Sequence, residues 1–406
     1  MIRNLSTILI INKSYNLNPK INITVLGVSC FNGMAGSTRV KNLLLPLINK
    51  NCIIANNLIY KKDAISLSEK KGKLNKISYC IIEFRKSNPF SIFSFFFQGI
   101  IFIKKNKMRF EKNILYHYDQ PDIRSIFFIL YARIIGYKII LDIIEDNRYY
   151  TNFTRPLSRI KIKSSIFFTK YINLYIDCVL TISEHLYNHM CKISKGRLPV
   201  FLIPITVDFS KFESKPYKIS KEFKIFYGGS FAEKDGLEYL LKAFENISVL
   251  FENTVLILTG KGAIENMKRY GDLISESSAK ARINLMGYLT TDEYYNQLNS
   301  CDIFCMTRVN SKFANAGFPF KLGEYLAAGK AVIATKVGDV SKYIQDRKNA
   351  LLINPSSVEE IVNALTYILE NPEQINLLGT EAKMTARNHF DSDKVGLQLL
   401  NIFKSL

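Results

Sequence analysis

Cysteine is sparse and unordered in this 406-residue chain: the seven, at positions 30, 52, 80, 178, 191, 301 and 305, are odd in number and show no CxxC spacing. A disulfide framework and a zinc site are therefore not indicated, and a reducing, cytoplasmic setting fits best. Long apolar runs are also missing: no uninterrupted segment reaches the roughly 18 residues that a spanning helix needs. The stretch from Met1 to Lys20 has one basic residue near its start and an apolar run of only Ile8 to Ile11, so no signal peptide is expected. Acidic residues are scarce in one half only. Residues 1–205 hold 31 Lys and Arg against 11 Asp and Glu, whereas 206–406 hold 24 against 24, so the whole net charge of +20 lies in the first half. Nucleic-acid binding, attraction to an anionic membrane surface, and a lysine-rich composition without a partner all fit that excess. No zinc-finger spacing, RRM signature or GxxG clamp is present, so a nucleic-acid partner is not expected.

A hydrophobic content of 48% with 22% charged residues is that of a soluble globular protein. The length suggests two or three domains with a sizeable core. The stretch from Ala316 to Val337 organises the rest. Gly317, Phe318 and Pro319 hold an extended loop, Phe320 to Ala328 reads as a short helix, Gly329 stands where a glycine ends one, and Ala331 to Val337 is a β-branched strand. The loop offers backbone N–H groups and the positive end of the helix dipole to a phosphate or a developing anion. Glu324 lies one turn into the helix, placed to accept hydrogen bonds from a diol, and Lys321 sits three residues earlier on the same face.

Upstream, Ile21 to Ser29 reads as a strand, followed by the glycine-punctuated loop Phe31 to Arg39, which contains Gly33, and a helix from Val40 to Leu47. Lys61 to Lys76 is a basic polar loop. Asn88 and Pro89 can open a helix that runs to Lys105, either a core helix of the first domain or one lying partly in a bilayer interface. Strand ends place His117, Asp119, Glu145 and Asp146 at the rim of a cleft. Lys211 to Ser220 suits a linker. The second half starts over with a strand from Phe223 to Tyr227, the loop Gly228 to Gly236, and a helix from Leu237. In that loop Gly229 and Ser230 open the backbone and Lys234 can place a positive charge against a diphosphate. Further strand and loop units carry Gly260 and Gly287.

The Gly317-Phe-Pro segment with Glu324, together with Lys234-Asp-Gly, Pro204-x-x-Val-Asp208 and Asp346-x-x-Asn-Ala-Leu-Leu352, resembles the retaining nucleotide-sugar glycosyltransferases of family 4, also called group 1. The resemblance implies an α/β protein of the GT-B fold: two facing Rossmann-like domains with parallel sheets and a cleft between them. It divides the chain into an acceptor-side domain over 1–205, a donor domain over 206–390, and a helix within 391–406 that crosses back to the first domain. It implies a hexosyltransferase that moves a sugar from UDP or GDP to an acceptor hydroxyl, in polysaccharide or glycolipid synthesis, without metal or cofactor.

Under that resemblance Lys234, Glu324, Glu145 and Asp146 are the catalytic candidates. Gly33, Arg39, Gly229, Ser230, Lys234, Gly260, Gly287, Gly317, Phe318, Pro319, Phe320, Lys321 and Glu324 would hold the donor. The motif's first glutamate falls on Ala316, and Ser230 stands where many members carry arginine. The partners implied are the nucleotide sugar and a glycan or lipid-linked acceptor, with peripheral attachment to the inner face of an anionic membrane as an option. The alternatives are a nucleotide-sugar epimerase or phosphorolytic enzyme on the same fold, and a degenerate binding protein.

Overall fold

The computed structural model describes residues 21–31, 34–64, 67–83, 90–109, 111–150, 156–212, 218 and 221–406. Within the first 202 residues lie β1 (Ile21–Leu26), β2 (Ile54–Tyr60), β3 (Lys71–Leu74), β4 (Ile77–Ile82), β5 (Lys112–Tyr118), β6 (Lys138–Ile143), β7 (Cys178–Thr181) and β8 (Val200–Leu202). They form one sheet in the order β3-β4-β2-β1-β5-β6-β7-β8, parallel except where β3 meets β4. The second half adds β9 (Phe223–Gly229), β10 (Thr254–Gly260), β11 (Ile283–Leu285), β12 (Ile303–Met306), β13 (Ala331–Thr335) and β14 (Leu351–Ile353), all parallel, in the order β11-β10-β9-β12-β13-β14. Both sheets have the β-branched, near-continuous apolar strands of sheets covered on both faces. In β13 all five residues are buried.

Side-chain alternation along β1 splits the first domain's core in two. Ile21, Ile23 and Val25 face the helix Ala35–Asn49, while Leu26 faces the helices Phe90–Lys105 and Ser125–Ile134. The last helix, Ser392–Ser405, lies on the first of these faces: Val395, Leu399 and Phe403 share a cluster with Leu43 and Leu47. Lys112 Nζ donates to the carbonyls of Phe403 and Lys404, at 3.2 and 2.7 Å, closing that helix onto the first sheet. Parallel sheets leave a crevice beyond the carboxyl ends of their strands. Here the last residue of β5 and residues following β6 meet residues following β9, β10 and β12 across one cleft.

Two sequence expectations need correction. The segment Lys61 to Lys76 is not all loop, because Lys71–Leu74 is an edge strand, and its lysines are the charges that keep an exposed edge from pairing further. The first helix begins at Ala35 rather than Val40, so Arg39 is a helical residue and not part of a phosphate loop. Asn88, Pro89 and most of the expected linker lie outside the described residues. The seven cysteines are free thiols. Among the described residues no helix is long and apolar enough to cross a membrane.

Candidate active site

The cleft holds a cavity of about 340 Å³ walled by Lys41, Tyr118 and Glu145 of the first domain and by Lys234, Lys321 and Glu324 of the second. The loop after β9 supplies its central charges. Asp235 is buried, accepts from the Ser230 hydroxyl at 2.5 Å and from Lys321 Nζ at 3.3 Å, and faces the buried guanidinium of Arg308. Burial alone would raise the Asp235 carboxyl, but Lys321, Arg308, the Ser230 hydroxyl and Lys234 hold it far below the usual range, so it stays charged. Lys321 is correspondingly pulled down by burial and propped up by Asp235, and its ammonium lies 4.1 Å from the centre of the Tyr227 ring. A Cβ on Gly229 would stand 2.5 Å from that ammonium, which is why the strand ends in glycine there.

Lys234 lies at the mouth of this cluster. Its Nζ donates to Glu145 Oε1 at 3.1 Å, spanning the cleft, and sits 4.7 Å from the Phe313 ring centre. Arg308 Nε is buried without a hydrogen-bond partner, so the wall carries an unsatisfied donor. Three cations thus surround two carboxylates at the end of β9, an arrangement able to accept a diphosphate in place of Glu145.

Glu324 stands on the helix Phe320–Ala327, which Gly329 terminates with φ +70°. The hydroxyls of Tyr294 and Tyr295 donate to Glu324 Oε2 and Oε1, at 3.0 and 2.9 Å. Burial pushes this carboxyl up, and the two phenol bonds hold back part of the rise. Each carboxylate oxygen keeps a lone pair free for a diol.

Gly229, Ser230, Gly260 and the run from Gly317 to Lys321 all line the cavity, as Lys234, Glu145 and Glu324 do. Gly33 lies outside the described residues. Gly287 stands behind the wall, its carbonyl accepting from Gly260 N and the Thr259 hydroxyl. Two candidates are corrected. Arg39 is fully buried, bonded through Nε and Nη2 to Asp142 at 2.6 and 2.8 Å and to the carbonyls of Ile203 and Pro204, so it holds the first domain together and does not reach the cleft. Asp146 is likewise buried, clasped by Arg148 and His185, which overcome desolvation and hold it at about 2, away from the cavity wall. Ala316, at the first-glutamate position, is buried with its carbonyl accepting from the Ser183 hydroxyl. Sequence reading missed Asp235, Arg308 and the two tyrosines. Only Asp235, inside the Lys-Asp-Gly motif, had a signal.

His117 and Asp119 form an opposed titrating pair beside the cleft. Burial lowers His117 to about 4, although its ring Nδ1 lies 2.8 Å from the Asp119 carbonyl. Burial, and then Glu145, raises Asp119 to about 7. Between pH 4 and 6.5 the folded chain refuses the histidine proton, which favours unfolding, and keeps the aspartate proton, which favours folding, so the two slopes cancel. Asp119→Asn leaves only the histidine. Asparagine tolerates the positive φ of 71° at this position. Measured by urea unfolding, the variant is expected to lose up to about 3 kcal/mol more than the parent chain as pH falls from 6.5 to 4, because the opposing slope of the aspartate is gone.

Residues 208–385 match the family profile described as glycosyl transferases group 1. The chain is 24% identical over 267 residues to an uncharacterized glycosyltransferase of Methanocaldococcus jannaschii, covering 63% of this chain and 66% of that protein. It is 22% identical over 210 residues to a phosphatidyl-myo-inositol mannosyltransferase of Mycolicibacterium smegmatis, covering 50% and 51%. The matched regions thus span less than two thirds of these relatives' lengths. Among solved structures it is similar to Anabaena HepE in complex with UDP and glucose, with a TM-score of 0.73 at 14% identity, covering 95% of this chain and 100% of the other. Sucrose-phosphate synthase from Thermosynechococcus elongatus gives 0.72 at 14% identity, covering 95% and 98%. The chain has the GT-B fold, and its second domain is a glycosyl transferases group 1 domain.

Proposed function

We propose that the protein is a retaining, metal-independent glycosyltransferase that moves a sugar from UDP or GDP to an acceptor hydroxyl in cell-surface polysaccharide or glycolipid synthesis. The observation that carries this reading is the cluster of Lys234, Lys321 and Arg308 facing the cleft of a group 1 domain, with Glu324 held in the same cavity. HepE, which shares the fold, binds UDP and glucose in its own structure.

In this reading Glu324 holds the ribose hydroxyls, and backbone at Gly260 and beside Tyr288 borders the base. The three cations neutralise charge as the bond from the sugar C1 to the diphosphate oxygen breaks. The acceptor oxygen bonds to C1 on the same face, and its proton passes to the departing diphosphate. Side-chain cations do the work of charge neutralisation, which supports a reaction without metal. The acceptor side is the first domain, where Glu145 is freed once the diphosphate takes Lys234. A lipid-linked acceptor at the inner membrane face accords with the basic charge of that domain.

Calorimetric titration of UDP, GDP and ADP into the purified chain tests the reading. One nucleotide is expected to bind, and Lys234→Ala to weaken it roughly tenfold to a hundredfold, the worth of one charge-assisted contact. Absence of binding by all three nucleotides, or an unchanged affinity in the variant, would reject it.

A further inference from the structure

Three helices cover the Leu26 side of the first sheet: Phe90–Lys105, Ser125–Ile134 and Pro156–Lys170. Each buries a narrow inner stripe and leaves an apolar outer one. Phe95, Gly99 and Ile103 of the first helix point inward, whereas Phe90 (82% exposed), Phe93 (75%), Phe97 and Ile101 stand in solvent. Beside it Phe127, Leu130 and Ile134 (82%) are exposed at spacings of three and four. On the third helix and the turn after it Ile160, Phe167, Tyr171 and Leu174 continue the band. The rings of Phe96 and Phe127 meet at 4.9 Å between the first two helices, and the loop before the second, at the exposed Ile123, is tied to the third by Ile123 N donating to Ser164 Oγ at 3.1 Å. By contrast Ala35–Asn49 and Glu184–Ser194 expose no large hydrophobic side chain.

Charge selects what covers this face. The three helices contain seven Lys and Arg and no Asp or Glu. Lys104 and Lys105 end the first, and Lys163 and Lys170 lie exposed on the third. An apolar layer of phenylalanine, isoleucine and leucine bordered by cations of one sign fits a surface that offers hydrocarbon beneath a sheet of negative charge.

We infer that this three-helix face docks on an anionic lipid bilayer, with Phe93, Phe97, Phe127 and Ile134 entering the interface and the lysines meeting headgroups. The docked edge lies beside the cleft: the loop that begins the second helix holds Gln120, whose Nε2 donates to the carbonyl of Glu145 at 3.1 Å. This deepens the acceptor half of the proposed function, because an acceptor carried in the same bilayer would reach the cleft laterally. Docking itself depends on no part of the donor site.

The test is flotation of the full chain with vesicles of phosphatidylcholine alone and of phosphatidylcholine with phosphatidylglycerol, beside the nucleotide titration. The chain is expected to float with the anionic vesicles only, and added salt to release it. Phe93→Ser with Phe97→Ser is expected to reduce the bound fraction at least about tenfold. Lys163→Glu with Lys170→Glu should reduce it by roughly fivefold or more for each charge reversed. Val249→Ser with Leu250→Ser, exposed on the second domain, should change nothing. Lack of binding to anionic vesicles, or equal binding by the phenylalanine variant, overturns the inference. So does a stable dimer by light scattering that this variant splits, since a second copy would then cover the face. Vesicle binding without nucleotide binding would reject the donor reading alone, and the reverse result would reject docking alone.

Discussion

Arg39→Met is expected to destabilise the chain by about 3–5 kcal/mol, the loss seen when one partner of a buried ion pair is removed. The guanidinium is fully buried, and its donors satisfy both oxygens of Asp142 together with the carbonyls of Ile203 and Pro204. Those two carbonyls begin the segment that leaves β8 for the second domain, and Asn42 Nδ2 holds the next part of it through the carbonyl of Thr206 at 3.1 Å. Without Arg39 the Asp142 carboxylate keeps, among the described residues, only the Tyr116 hydroxyl as a side-chain donor, and both groups are fully buried. Urea unfolding would show the midpoint falling, and the double variant Arg39→Met/Asp142→Leu would recover part of the loss because no charge is then left buried alone. A loss under about 1 kcal/mol with impaired nucleotide binding would return Arg39 to the donor site.

The misplacement of Arg39 shows where the sequence is ambiguous. Met34-Ala-Gly-Ser-Thr-Arg39 reads as a loop because glycine, serine and threonine are weak helix formers. Tertiary contact decides otherwise: a Cβ on Gly36 would stand 2.6 Å from the Tyr118 hydroxyl, so glycine there lets the first turn of the helix pack against the end of β5. The second domain was more legible, since its strands are apolar runs, the helix Leu237–Leu250 begins after Gly236 and the helix Phe320–Ala327 ends before Gly329. The loop and helix around Glu324 could be read for the same reason. Partners distant in sequence could not be read, because no local pattern links Glu145 to Lys234 across the cleft, 89 residues away, or Tyr294 to Glu324 within the second domain, 30 residues away. Arg308 gave no sign either, as a lone arginine after a strand is usually solvated, whereas this one is enclosed by the chain around Ala314. The outward phenylalanines of Phe90–Lys105 lie between these cases. The sequence left a core helix and an interfacial helix both open, and the structure shows a helix that buries one stripe and exposes another.

Lys321→Met is expected to lower kcat/KM for the donor sugar by about 10²–10³, more than Lys234→Ala, because its charge is the better enclosed. Lys234 keeps contact with solvent and already shares its proton donors with Glu145, so part of its effect is screened. Lys321 is largely enclosed, its side chain 14% exposed, and its ammonium is held between the Tyr227 ring and Asp235. Methionine keeps the length and most of the packing but removes the charge, leaving Asp235 to Ser230 and Arg308. That residual carboxylate would then repel the diphosphate, so the loss should fall on nucleotide binding as well as on turnover. Lys321→Arg should not rescue it, since a planar guanidinium does not fit a space in which even a Cβ on Gly229 would come within 2.5 Å of the ammonium. Asp235→Asn in the Lys321→Met background separates charge from shape: removing the uncompensated carboxylate should restore part of the nucleotide affinity without restoring turnover. Full turnover in Lys321→Met would mean that Arg308 and Lys234 neutralise the leaving diphosphate by themselves.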